Sequence, residues 1–283
     1  MRFVTKTLAG LLAGLLSMSL AGCSQSDIDT AQNLLDRATN SIQTPDGSNS
    51  EENGGSGNAT VATIPEWNLS DYPDYYKVLG KADFANTTLP AAGTIDYATP
   101  DSLGRSGKTV GVITKRMRDA GSDRDRHMPD TVTGWPATNP KVQIDLTDEN
   151  ACALPKSARP KNSCYSGYLY NKSHLIAKSL GGEDSAENMV TGTRMQNVGR
   201  NDSKHPGGMA YTETEARDWL DDNPSGTIAY MATPVYEGNE LLPRYVLVDI
   251  KSSDSSIDQH VVVWNTANGW NIDYVTGAAE QVG

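Results

Sequence analysis

Three β-rich segments near the C-terminus constrain the fold more than any other feature: GTIAYMATPVY (226–236), RYVLVDIKS (244–252) and HVVVWNT (260–266). Each is rich in β-branched and aromatic residues and is bounded by turn formers, the pattern of a strand. They follow one another along the chain, consistent with an antiparallel sheet. Upstream, TVGVITKRM (109–117), KVQIDL (141–146) and GYLYNKSHLIA (167–177) also read as strands, and NMVTG (188–192) as a short one. Residues 193–200 read as helical, with Thr191 or Thr193 able to cap them. TETEARDWLDD (212–222) is a stronger helix, followed by Pro224. No internal repeat is visible. These elements predict an α+β fold with a mostly antiparallel central sheet and flanking helices.

The N-terminal part is different in kind. Arg2 and Lys6 precede the apolar run TLAGLLAGLLSMSLAGC (7–23). That arrangement is a secretory signal, too short and wrongly flanked for a permanent membrane span. Its end, Leu20-Ala21-Gly22-Cys23, resembles the bacterial lipobox. The resemblance implies cleavage before Cys23, lipidation of that residue and attachment to the outer side of a cell membrane by several acyl chains. Residues 1–22 are therefore assigned as a lipoprotein signal peptide and 23–63 as a polar tether. The tether contains one weak helix, DIDTAQNLLDRATNSIQ, and the Gly/Ser/Asn/Glu-rich stretch TPDGSNSEENGGSGNAT. Residues 64–283 form the folded domain. With Cys23 assigned to lipid, Cys152 and Cys164 remain, and an even pair in an exported protein predicts a disulfide. It would stiffen the chain just before the segment that holds His174.

The formal net charge of −11 disfavours a nucleic-acid partner, because phosphate binding rewards Lys and Arg. The charge is uneven, however. Residues 108–217 are net positive, so the acidic excess lies outside the stretch around His174. His174 is one of four histidines, placed at the end of an alternating strand and followed by the turn Gly181-Gly182. His127 and His205 lie in polar loops and His260 opens a strand, and no chemistry is assigned to these three. Asn188 and Asn197 follow His174 across a loop, a short strand and the start of a helix. A helical Asn can face back toward a His on the first strand, the geometry of a small ββα finger around one divalent metal.

NKSHLIAKSLGG…ENMVTGTRMQNVG resembles the DNA/RNA non-specific endonucleases of the ββα-metal (His-Me finger) type, in particular the streptodornase and DNA-entry nuclease branches. The resemblance spans about residues 95–277 and takes in DSLGR (101–105), TGW (133–135), YMATPVY (230–236) and YVTG (274–277). One departure stands out. The family's tetrad is usually Asp-Arg-Gly-His and here is Asn171-Lys172-Ser173-His174, so a bidentate phosphate fork becomes a point charge.

The resemblance implies a secreted, Mg²⁺-dependent endonuclease acting on DNA, with RNA as a further candidate and Mn²⁺ as an alternative metal. It should leave 5′-phosphate and 3′-hydroxyl ends. His174 would be the general base, which suits a group titrating near neutral pH. Asn197 would hold the metal through its amide oxygen, leaving water and phosphate to complete the shell. Asn188 would align the site or cap its turn. Glu213 and Arg217, one helical turn apart, would hold a metal-bound water and grip phosphate; as a plain surface pair they would contribute a few tenths of a kcal/mol. Lys172 and Arg194 are further phosphate candidates. No protein partner is implied. Two rivals remain at this level: a lipoprotein that captures DNA without cutting it, and a solute-binding lipoprotein. The second would show two similar α/β lobes, which the sequence lacks.

Overall fold

The computed structural model describes residues 64–282, apart from 148 and 201–204. The signal peptide, Cys23 and the tether lie outside the described residues. In chain order the strands are β1 (Tyr76–Gly80), β2 (Ile95–Tyr97), β3 (Thr109–Thr114), β4 (Lys141–Asp145), β5 (Cys164–Tyr168), β6 (Tyr170–His174), β7 (Met189–Thr193), β8 (Thr227–Val235), β9 (Tyr245–Ser252), β10 (Asp258–Trp264), β11 (Trp270–Ile272) and β12 (Ala279–Gln281). The α-helices are α1 (Lys115–Asp123), α2 (Arg194–Val198) and α3 (Met209–Asp222). No helix among the described residues is long and apolar enough to cross a membrane.

A six-stranded antiparallel sheet in the order β1-β10-β9-β8-β3-β2 is the frame. The three C-terminal strands meet as their alternation predicts. Val246, Val248 and Ile250 of β9 are fully buried at every second position, which places them on one face. Tyr230 pairs with Ile250, and Val248 lies between Ala232 and Val261. That face packs on Leu175, Ile176, Leu180, Met209, Ala216 and Leu220, so α3 and the segment after β6 cover the sheet. Each fully buried aliphatic side chain contributes about 1.5–3 kcal/mol to this core.

The expected strand 167–177 is two strands with different partners. β5 pairs with β4, the chain crosses over at Leu169, and β6 pairs with β7. Asn139 enforces the crossover by bonding both the backbone N–H and the carbonyl of Tyr170. The strand expected over 109–117 stops at Thr114, whose hydroxyl faces the Met117 N–H and opens α1. Strands β1 and β2 go beyond the sequence reading. β1 sits on the sheet edge against β10, with Val78 opposite Val261.

The β6–β7 hairpin and α2 form the expected finger, anchored in two cores. Leu175, Ile176 and Val190 belong to the core of the large sheet. Leu169, Tyr170 and Met195 belong to a second core with Val142, Ile144, Leu146 and Leu242. The buried Asn265 clips β7 to the loop before β9 by accepting from Thr193 N–H and donating to the carbonyls of Thr191 and Pro243. The expected disulfide is present: Cys152 and Cys164 are bonded, tying the start of β5 to the short turn before it.

Candidate active site

His174 closes β6 opposite Met189 of β7. Its side chain is only 11% exposed, and its Nε2 lies 2.8 Å from Oδ1 of Asp184. Burial moves the imidazole below its ordinary value. Asp184 opposes that shift, and the charges of Arg126 and Arg124 add to it. The ring is therefore neutral at physiological pH and able to accept a proton. Asp184 is a residue the sequence reading missed. Burial pushes its carboxyl up, but hydrogen bonds from the His127 N–H (2.7 Å to Oδ2) and from His174, with the charge of Arg124, outweigh that and hold it below the usual carboxylate range.

The loop that carries Asp184 is shaped by Asn188. This side chain is fully buried, accepts from Ile176 N–H and donates to the carbonyls of Ile176 and Glu183. Its polar atoms are thus engaged with backbone, and it acts on the site through the loop. Gly182 is required here: a Cβ would run into the Ile176 carbonyl and lie 2.8 Å from the Asn188 amide nitrogen.

Thr193 caps α2, accepting from Gln196 N–H at 2.9 Å. The helix carries Asn197 back to β6, where the amide oxygen meets the hydroxyl of Ser173 at 3.2 Å, next to His174. Helix α3 starts close beside α2, because Gly208 has φ +56° and no Cβ to strike the carbonyls of Gln196 and Met195. Glu213 lies on this helix. Burial raises its carboxyl to about 7, although Arg217 and Arg126 pull it down. Arg217 Nη1 is 3.9 Å from Glu213 Oε2, too long for a hydrogen bond. Its Nη1 donates to Ser179 and its Nη2 to Thr214.

The two remaining cation candidates sit in different surroundings. Lys172 donates to the carbonyls of Pro129 (2.5 Å) and Asp130 (2.7 Å) and lies 5.3 Å over the Trp135 ring, so it straps a loop to the finger. Arg194 stacks on Tyr165, 5.3 Å from the ring centroid, and its Nη1 is buried with no hydrogen-bond partner among the described residues. Arg126, which sequence reasoning also missed, is exposed, and its charge acts on both His174 and Glu213. In the sequence it is one of several basic residues in and just after α1, with nothing to mark it as acting on the finger.

Comparison with known proteins agrees with this architecture. Residues 137–254 match the family described as DNA/RNA non-specific endonuclease. A deoxyribonuclease of Streptococcus dysgalactiae subsp. equisimilis is 32% identical over 73% of this chain and 73% of its own. Among solved structures, the Sda1 nuclease with bound zinc ion is similar at 34% identity and a TM-score of 0.66, covering 76% of this chain and all of that one. NucA from Streptococcus agalactiae with magnesium ion bound shares the fold at a TM-score of 0.51, with 21% identity, 71% of this chain and 83% of that one. The chain belongs to the DNA/RNA non-specific endonuclease family of phosphodiester hydrolases.

Proposed function

We propose that this protein is a Mg²⁺-dependent endonuclease that cuts DNA largely without regard to sequence, with His174 as general base. RNA is the second candidate substrate and Mn²⁺ an alternative metal. The observation that carries the reading is the contact between Ser173 and Asn197, which sets an amide oxygen beside the strand end bearing a neutral imidazole.

The donors suit a hard divalent cation. Asn197 offers a neutral oxygen. Glu213 offers a buried carboxylate whose charge a nearby cation would favour. Among the described residues no group of three or more His, Cys, Asp or Glu could hold a metal, so water and substrate phosphate would complete the shell. Bound there, Mg²⁺ supplies stabilisation of the negative charge that builds on the phosphoryl oxygens.

The protein's own residues do the rest. His174 takes a proton from a water molecule as the water oxygen bonds to phosphorus. The P–O3′ bond breaks, and the departing 3′ oxygen takes a proton from solvent, giving a 5′-phosphate and a 3′-hydroxyl. Glu213 would orient water at the cation by accepting its hydrogen bonds. Arg217 keeps N–H groups beyond those given to Ser179 and Thr214, and these can grip phosphate. Arg194 and the third ammonium donor of Lys172 are weaker phosphate contacts. Contacts confined to the backbone carry no base information, hence the indifference to sequence. A lipid on Cys23, with residues 23–63 as tether, would hold the domain outside the membrane; Cys23→Ser should release the protein or block its processing.

Plasmid cleavage by wild type and His174→Ala, each with Mg²⁺ and with a chelator, tests the core of the reading. We expect His174→Ala to lose about 10²–10⁴-fold in kcat with DNA affinity retained, since it removes a base and not a cation. Full activity in that variant, or wild-type cleavage after complete metal removal, would sink it.

A further inference from the structure

We propose that Asp184 is the positioning residue of this reaction: it fixes His174 in the tautomer protonated at Nε2 and so presents Nδ1 to the attacking water. The inference rests on His174 being the general base and adds which nitrogen acts and what selects it.

The geometry leaves little choice. An ionised carboxylate only accepts hydrogen bonds. Asp184 Oδ1 lies 2.8 Å from Nε2, so Nε2 must donate and Nδ1 carries the lone pair. Asp184 Oδ2 meanwhile accepts from the backbone N–H of His127 at 2.7 Å. The carboxylate is 6% exposed and the imidazole 11%, so water does not readily take over either bond. The charged groups around the ring are Asp184 on the β6–β7 loop and Arg124 and Arg126 on the segment after α1. Arg124 donates to the Gly182 carbonyl and comes within 3.9 Å of Oδ1, which holds the carboxylate in place from behind. During the reaction Nδ1 takes the water proton, the Nε2–H bond to Asp184 persists, and the imidazolium faces a carboxylate across 2.8 Å. The proton then leaves Nδ1 to solvent.

This arrangement makes an unusual prediction for Asp184→Asn. A backbone N–H can only donate, so the new amide oxygen must turn to His127. Its NH₂ group then faces Nε2 and forces that nitrogen to accept. The ring proton moves to Nδ1, and the nitrogen meant to receive the water proton is blocked. Asp184→Ala removes more of the side chain but leaves the ring free to choose its tautomer. The isosteric variant should therefore be the more damaging one, an order that a purely structural role would not produce.

The test combines activity with ¹⁵N NMR of the imidazole nitrogens in the full chain, without metal. We expect wild-type His174 to be protonated at Nε2 and the ring in Asp184→Asn at Nδ1, with Tm nearly unchanged. Asp184→Asn should lose about 10²–10³-fold in kcat with little change in KM, and Asp184→Ala should keep at least roughly ten times the activity of Asp184→Asn. Activity of Asp184→Asn close to wild type, a ring in that variant that stays protonated at Nε2, or Asp184→Ala worse than Asp184→Asn would overturn the inference. If Asp184→Asn does not fold, wild type decides: a ring protonated at Nδ1 refutes it. An active His174→Ala would instead refute the general-base reading itself, whereas an inactive His174→Ala beside a fully active Asp184→Asn refutes only the role of Asp184.

Discussion

Ser173 Oγ donates to the amide oxygen of Asn197 at 3.2 Å, joining α2 to the strand that ends in His174. The contact fixes the amide proposed to hold the metal. Asn197→Ala should lower metal affinity or activity by at least about 10–100-fold, and raised Mg²⁺ should recover part of it. Ser173→Ala should show a milder form of the same defect, with roughly 1 kcal/mol lost from stability. Raised Mg²⁺ should do nothing for His174→Ala. Isothermal titration with Mg²⁺ and single-turnover cleavage check all three.

Glu213 sets a pH dependence. Its carboxyl is raised to about 7 in the folded protein, above an ordinary value of 4.5. The native state thus holds a proton that the unfolded state gives up. The stability tied to that proton is fully present below about 4.5 and is lost as pH rises through about 7. Metal-free Glu213→Gln should therefore lack this decline when its urea unfolding is compared with wild type at pH 5 and pH 8. With Mg²⁺, affinity in wild type should rise with pH up to about 7 and flatten in the variant.

Lys172 and Arg126 should separate stability from substrate binding. Lys172 makes two charge-assisted bonds to the carbonyls of Pro129 and Asp130. Lys172→Met should cost about 1.5–3 kcal/mol of stability per bond at most and change DNA affinity little. Arg126 is exposed, and its charge acts on His174 and Glu213. Arg126→Gln should leave Tm unchanged and reduce the salt slope of DNA binding by about one. Fluorescence anisotropy across a salt series, with thermal melts, distinguishes them.

The Cys152–Cys164 bond closes a short loop ahead of β5 and touches none of the proposed chemistry. Reduction should cost about 2–3 kcal/mol of stability in the chain-entropy account. Turnover at temperatures where the reduced protein stays folded should be nearly unchanged. Both thiols should resist alkylation until reductant is added.

What could be read without a structure has short range. The strands β8, β9 and β10 show in the alternation of Val246, Val248 and Ile250 and of their neighbours, which is local to each segment. The cap of α2 by Thr193 spans three residues. The disulfide followed from an even cysteine pair behind a signal-like leader, and the selection of His174 with Asn197 from a family pattern. Other features escaped because their causes are distant or have no periodic trace. Strand β1 exists because β10 offers it an edge, Val78 meeting Val261 across most of the chain. Helix α1 was hidden by polar residues and by Gly121, a poor helix former that the fold needs: a Cβ there would strike the Lys178 carbonyl.

The sequence alone determined the pieces: the strands, the capped helix and the cysteine pair. Only the tertiary structure decided their pairings. It turned Asp184 onto His174 through a loop bracketed by Asn188, bound Lys172 to backbone carbonyls and left Arg126 exposed with its charge acting on His174. The physical reason is that periodicity and caps are set by neighbours a few residues away, whereas the partner of a carboxylate or a cation is set by whichever donor or acceptor the packed backbone brings within about 3 Å.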